Sequence, residues 1–337
     1  MNVSAIIENL LAGVDLSYSE MQSIMRNIMT GKYTDSQVAA FLVALRAKSE
    51  TVDEISAAAQ IMRELSTKIN ITAPNSVDLV GTGGDSTATF NISTAASVVI
   101  AASGATVAKH GNRSVSSKSG SADLLEVAGV KIDLPPQKTQ DCINEIGLGF
   151  MFAPIYHSAM KYAITARKEV GIKTIFNLLG PLTNPASVKR QLTGVFSEFW
   201  LEPIAQVLKK LGSEQAMIVH SEDGMDEISI SAATKIVELK NGKISSSIIS
   251  PEDFGFKRSD IKTIQVKDAQ QSLALIMDVL NNNESAAKNV VCLNAGATIY
   301  VAGKAETIFE GVQQAQESIA NGSALAKLNQ LIKFTNS

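Results

Sequence analysis

VDLVGTGGDSTATFNISTAASVVIAASGATVAKHGNR, residues 77–113, is the stretch whose reading decides the fold. Val77, Leu79 and Val80 form a short apolar strand that runs straight into Gly81-Thr-Gly-Gly-Asp85. A helix of small residues follows from about Ser93 to Ser103 and is ended by Gly104, and Thr106–Ala108 is a second strand. That strand empties into Lys109-His-Gly-Asn-Arg113 and a Ser/Gly-rich loop reaching Ser121. Strand, loop and helix repeated in this order predict an α/β fold with a mostly parallel sheet, its site built on loops at the strand carboxyl ends. Further along, a helix through Leu124, Leu125 and Val127 ends at Gly129, and Ala216–Val219 is a third strand opening onto Ser221–Glu227. Ile236–Leu239 and Ile244–Ile249, joined by Asn241-Gly242, carry a strong hairpin signal. Helices around Phe309–Ile319 and Ala324–Ile332 close the chain.

Before this stretch the pattern is helical. Met21, Ile24, Met25 and Ile28 recur at helical spacing, with Gly31 as a stop. Thr34–Gln37 and Thr51–Glu54 each have the form of a capping box ahead of a fresh apolar face: Val38, Phe41, Leu42 and Leu45, then Ile55, Met62 and Leu65. Pro74 and Asn75 punctuate the change of pattern, so a small helical domain over residues 1–72 and an α/β domain over 73–337 are expected.

Composition bounds the function. Of 337 residues, 30 are Lys or Arg and 33 Asp or Glu, a formal net charge of −3 that argues against a general nucleic-acid or anionic-membrane binder. A local cationic site stays open. Cys142 and Cys292 are the only cysteines, so neither a disulfide framework nor a Cys-rich zinc site is available. His110, His157 and His220 do not fall at helical metal-ligand spacing. Met1–Leu11 lacks the basic start of a signal peptide, and the longest apolar stretch, Ala95–Ala108, is broken by Ser97, Ser103 and Gly104, so a soluble cytoplasmic protein is expected.

Several residues could carry chemistry, and each has a plainer reading. Gly81–Asp85 suits a turn whose N–H groups meet a phosphate, or only a tight strand-to-helix connection. It matches neither the dinucleotide fingerprint, which Ser86 breaks, nor the Walker A pattern. Asn91-Ile-Ser-Thr94 could cap the following helix or hold an anion or metal. Lys109–Ser121 gathers cations, hydroxyls and glycines as a phosphorylated ligand requires, though a solvated polar loop would look similar. Asp226-Glu227 could bind magnesium or simply face water. Arg167 lies in a helical segment, where a surface arginine is the ordinary case, and His157 and His220 could be structural.

Six strings change the balance: GTGGD at 81–85, TFNIST at 89–94, KHGNRSVSSKSGSADLLE at 109–126, Phe150–Ala186 with its TIFNLLGPLTNPA, DGMDE at 223–227 and LNAGA at 293–297. In that order, and over nearly the whole chain, they closely resemble the anthranilate phosphoribosyltransferase family. The resemblance implies a helical domain over 1–72, which a helical segment near 165–190 joins, and an α/β domain of the nucleoside phosphorylase/phosphoribosyltransferase type. It implies transfer of phosphoribose from phosphoribosyl pyrophosphate to the amine of anthranilate in tryptophan biosynthesis, two magnesium ions per subunit and a homodimer contacting through the helical domain.

Carried over by position, the donor contacts would be Gly81, Gly84, Asp85, Thr89, Asn91, Ile92, Ser93, Thr94, Lys109, His110, Gly111, Asn112, Arg113, Ser114, Val115, Ser116, Ser117 and Ser121. Ser93 and Glu227 resemble ligands of one magnesium, and Asp226 and Glu227 of a second. Gly81, Asn112 and Arg167 resemble the anthranilate contacts, and Lys109, Asn112 and Arg167 the catalytic set. Ser86 and Ser158 depart from the family pattern, in the pyrophosphate turn and near the acceptor pocket. A pyrimidine nucleoside phosphorylase shares the fold and a Lys-His loop but would differ through the NRSVSS stretch. A nucleic-acid-binding relative should show a basic groove and lose parts of KHGNRS, and an inactive member fits poorly with every polar motif in place.

Overall fold

The computed structural model describes residues 2–85, 87–113 and 119–337. Four helices come first: α1 (Val3–Leu11), α2 (Tyr18–Met29), α3 (Asp35–Lys48) and α4 (Val52–Leu65). Reciprocal capping boxes start α2, α3 and α4, at Ser17/Glu20, Thr34/Gln37 and Thr51/Glu54. Each pairs orphan first-turn N–H groups with side-chain oxygens, and so fixes where the helix begins. The apolar stripes read from the sequence are buried, with Leu65 at their partly exposed margin.

The α/β part then runs β1 (Val77–Gly81), α5 (Ile92–Ala102), β2 (Val107–Gly111), α6 (Ser121–Val127), α7 (Pro136–Ile146) and β3 (Leu148–Phe152). Short helices α8 (Ala153–Tyr156), α9 (Ile164–Val170) and α10 (Ile175–Leu179) follow, then β4 (Arg190–Gly194), α11 (Leu201–Lys210) and β5 (Gln215–Ser221). The hairpin β6 (Thr234–Lys240) and β7 (Lys243–Ile249) precedes helices α12 (Ala269–Leu280), α13 (Ala286–Val301), α14 (Ile308–Ala320) and α15 (Ser323–Asn336).

Together the strands make one sheet in the order β3-β2-β1-β4-β5-β6-β7. The first five run parallel, and β6 and β7 add antiparallel. The hairpin reverses at Asn241-Gly242, where both residues have positive φ, 52° and 73°, as a type I′ turn demands. Strand order changes direction between β1 and β4, the crevice where an open parallel sheet binds its ligand.

Alternation along the strands sorts two cores. Met217 and Val219 of β5 join α5 and α12–α15 on one face, while Ala216 and Ile218 join α11 and the N-terminal helices on the other. Helices α9 and α10 pack against α3 and α4. Helix α5 is apolar all round because the sheet, α13 and α15 cover it. No helix among the described residues is long and apolar enough to cross a membrane.

Helices α13 and α14 cross in direct backbone contact. A Cβ on Gly296 would lie 2.4 Å from the Val312 amide nitrogen, and one on Gly311 would lie 2.1 Å from the Gly296 carbonyl oxygen. Gly296→Ala should therefore destabilise the protein by about 1–3 kcal/mol, as overpacking does, read as a lowered urea midpoint with an unchanged slope.

Candidate active site

Strands β1 and β4 end in register at Gly81 and Gly194. The turn after β5 lies over that pair. A Cβ on Gly194 would fall 1.4 Å from the Asp226 carbonyl oxygen, and one on Gly81 would fall 2.4 Å from Asp226 Oδ2. Glycine is required at both strand ends by this approach, which lets Asp226 Oδ2 accept the Gly83 N–H at 2.7 Å. Glu227 Oε1 accepts the Ser93 N–H at 3.0 Å, in the first turn of α5. The carboxylate pair is braced from behind. Buried Asn294 on α13 accepts the Ile228 N–H at 3.0 Å and donates to the Ile228 carbonyl at 2.8 Å. Asp223 accepts hydroxyls from Ser229 and Ser231.

Lys109, buried at the end of β2, donates to the Leu79 carbonyl at 2.7 Å and to Ser93 Oγ at 3.3 Å. Ser93 is thus shared, with its amide on Glu227 and its hydroxyl on Lys109. Burial and the charge of Asp85 hold Asp226 well above the ordinary carboxylate range, and burial with the charges of Asp226 and Asp85 does the same for Glu227. Burial likewise lowers Lys109, while the charges of Asp78 and Glu227 act to keep its proton.

On the opposite face of β1, Asp78 accepts the His110 N–H at 3.3 Å and an Asn184 amide N–H at 2.7 Å. Burial pushes Asp78 up to about 6. The His110 and His157 rings lie 5.0 Å apart, and burial pushes them down to about 3 and about 4, so both are neutral at physiological pH. His220 is structural: its Nδ1 lies 2.8 Å from the Val195 carbonyl.

Asn91 does not cap α5 with its side chain. Its amide donates to the Ser119 carbonyl at 3.1 Å, and its Oδ1 accepts the hydroxyls of Ser119 and Ser272, tying the donor loop to α12. Capping gives way because these partners, distant in sequence, offer more bonds. The Thr94 hydroxyl is buried without a partner among the described residues. Thr87 donates its hydroxyl to Asp85 at 2.5 Å, and Thr89 bridges to Gln265. Gly111 lies against Ser121 Oγ, whose hydroxyl donates to the exposed Asn112's carbonyl at 3.3 Å. Exposed Arg113 pairs with Asp123 and Glu126 and lies over Phe152, so in this arrangement it is not brought into the carboxylate cluster. Ser114, Val115, Ser116 and Ser117, like Ser86, lie outside the described residues. Arg167 stands half-buried over the Phe176 ring, 5.4 Å from its centroid, with no carboxylate partner among the described residues.

Sequence reasoning passed over Asp78, Lys173, Asn184, Ser272 and Asn294. Asn184 and Asn294 lay inside strings that carried the resemblance, and a buried amide in such a string was their signal. Asp78 and Lys173 lay inside quoted stretches with no residue pattern to single them out, and Ser272 lay outside them all.

Ser93, Asp226 and Glu227 fit a hard cation: the donors are all oxygen, Asp226 is buried, and half-buried Glu227 lies against its charge. Among the described residues no group of three or more His, Cys, Asp or Glu side chains could hold an ion by itself. Water or phosphate oxygens would complete the shell.

The glycosyl transferase family a/b domain matches residues 73–325, and the helical bundle domain of the glycosyl transferase family matches residues 4–66. The chain is 52% identical over 337 residues to an anthranilate phosphoribosyltransferase from Thioalkalivibrio sulfidiphilus, covering 100% of both chains. The chain belongs to the anthranilate phosphoribosyltransferase family. Among solved structures of that family, the Thermus thermophilus enzyme superposes with a TM-score of 0.94 at 38% identity, covering 100% of both chains. The Saccharomyces cerevisiae enzyme in complex with PRPP and Mg gives 0.91 at 25% identity, covering 99% of this chain and 98% of that one.

The carboxylate pair makes a stability prediction. Acids with raised folded values contribute stability that is present below the ordinary carboxylate value near 4 and lost as pH rises through the raised values. Without divalent cation, an Asp226→Asn, Glu227→Gln variant should therefore melt above the parent at pH 8. The gain should shrink towards pH 5, and thermal melts at the two pH values check it.

Proposed function

We propose that the chain carries out the family reaction with magnesium, the ion and phosphoribosyl pyrophosphate meeting at the β1/β4 crevice and anthranilate approaching from the side of α9. The observation that carries this reading is Ser93, whose amide and hydroxyl join Glu227 to Lys109 at the carboxyl ends of the strands. In the reaction the bond from the anomeric carbon to the pyrophosphate oxygen breaks, the leaving group keeps its electron pair, and the amine nitrogen forms the new bond and then sheds a proton. Positive charge grows on the sugar and negative charge on the pyrophosphate. Lys109 is fixed by its bonds to the Leu79 carbonyl and Ser93 before this charge appears, which is where electrostatic catalysis is most effective. Magnesium held by Ser93, Asp226 and Glu227, one ion or two, would neutralise pyrophosphate charge.

An aromatic amine is unprotonated at neutral pH, so positioning matters more than a strong base. Arg167 offers a planar fork to the acceptor carboxylate, and Phe176 beneath it limits its motion. For the homodimer we infer a face on α1, α3 and α9, which pack together and leave Leu11, Val43 and Ile164 exposed.

Loss of anthranilate fluorescence should require both phosphoribosyl pyrophosphate and magnesium. Phosphorolysis of a pyrimidine nucleoside in its place would overturn the reading. Arg167→Ala should raise KM for anthranilate by about tenfold or more, the order expected for losing a charged bidentate contact, and leave KM for the donor nearly unchanged. Equal effects on both substrates would count against an acceptor role for Arg167.

A further inference from the structure

We propose that Lys173 is a positioning residue that locks the acceptor-side helix α9 onto the donor-side glycine turn, so that the two substrate sites take shape together. The functional half of this statement rests on the reading of Arg167 and the glycine turn given above. Helix α9 ends at Gly171, whose φ of 67° is left-handed and whose N–H returns to the Arg167 carbonyl at 3.2 Å. Two residues later, half-buried Lys173 leaves that helical layer and crosses to the sheet. Its Nζ donates to the Gly84 carbonyl at 2.7 Å and lies 4.0 Å from the centroid of the Phe196 ring.

Those two contacts belong to the loops after β1 and β4, the strands that flank the crevice. The loops are already tied to each other, for the Phe196 N–H donates to Thr82 Oγ1 at 3.0 Å and the Thr82 N–H to the Gly194 carbonyl at 3.0 Å. One ammonium therefore fastens the segment bearing Arg167 to both.

The bond also sets an amide. In a trans peptide, carbonyl and N–H point in opposite directions, so holding the Gly84 carbonyl fixes the Asp85 N–H on the side away from Lys173. Gly84 has a φ of 75° and no side chain of its own to stiffen it. A charge-assisted bond from outside the turn supplies the constraint. The Lys173 charge reaches the Asp226 carboxylate as well, which places the latch beside the carboxylate pair.

Lys173→Met keeps the length and apolar stem and removes the charge and its hydrogen bond. Steady-state kinetics on the full chain should show KM for phosphoribosyl pyrophosphate and for anthranilate rising together, each by about tenfold as for a lost charged hydrogen bond, with kcat changed less. Lys173→Arg should recover much of both. Hydrogen exchange of the substrate-free protein should show residues 82–85 and 164–172 losing protection together in the Met variant. A rise in only one KM, loss of protection in only one segment, or both KM values within twofold of the parent would overturn the latch. If Arg167→Ala leaves KM for anthranilate unchanged while Lys173→Met still loosens both segments, the latch stands and the acceptor assignment falls.

Discussion

Asp226 rests on two strand ends that have no side chains. Gly81 and Gly194 are register partners on β1 and β4, and together they open a notch at the point where the strand order turns. The backbone and carboxylate of Asp226 fill that notch more closely than any Cβ would allow. From this one packing constraint the rest of the site follows. Glu227 is delivered to the first turn of α5, its oxygen meets the Ser93 amide, and the Ser93 hydroxyl meets Lys109. A turn that in solution would be a solvated acidic loop becomes the wall of a crevice.

Such an arrangement is unfavourable by itself. Two adjacent carboxylates out of water repel each other, and the protein holds them with amide donors, the Asn294 brace and a buried lysine in place of full ion pairs. The tension is useful. A site whose acids are poorly satisfied alone gains most when cation and phosphate arrive together, which favours the loaded state over the empty one. Stability given up at the strand ends is balanced by ordinary packing elsewhere, in the two cores on either side of the sheet.

Much of this was legible from local chemistry. Capping boxes at Thr34 and Thr51, the Asn241-Gly242 reversal and the strand-to-glycine-turn step at Gly81 each depend on residues within a few positions of one another. A short-range rule reads them correctly because their partners are in the same window. Asn91 shows where that ends. Local rules make it a helix cap, but its side chain bonds Ser119 and Ser272, the latter 181 residues away. Arg113 likewise finds partners outside its own window, Asp123 and Glu126 on α6. Lys173 and Asn294 reach partners 89 and 66 residues distant, and no spacing in the chain announces either.

By itself, then, the sequence determined the alternation of strand and helix and, through strings carried over whole, the family. These are properties of residue type and near-neighbour order. Tertiary structure decided which charges share one crevice: that Lys109 turns to Ser93, that Asp226 settles on Gly81 and Gly194, and that Lys173 bridges helix and sheet. The reason is physical. Burial and opposing charge act through space between groups that the chain separates widely, and only a folded sheet brings the ends of β1, β2, β4 and β5 together.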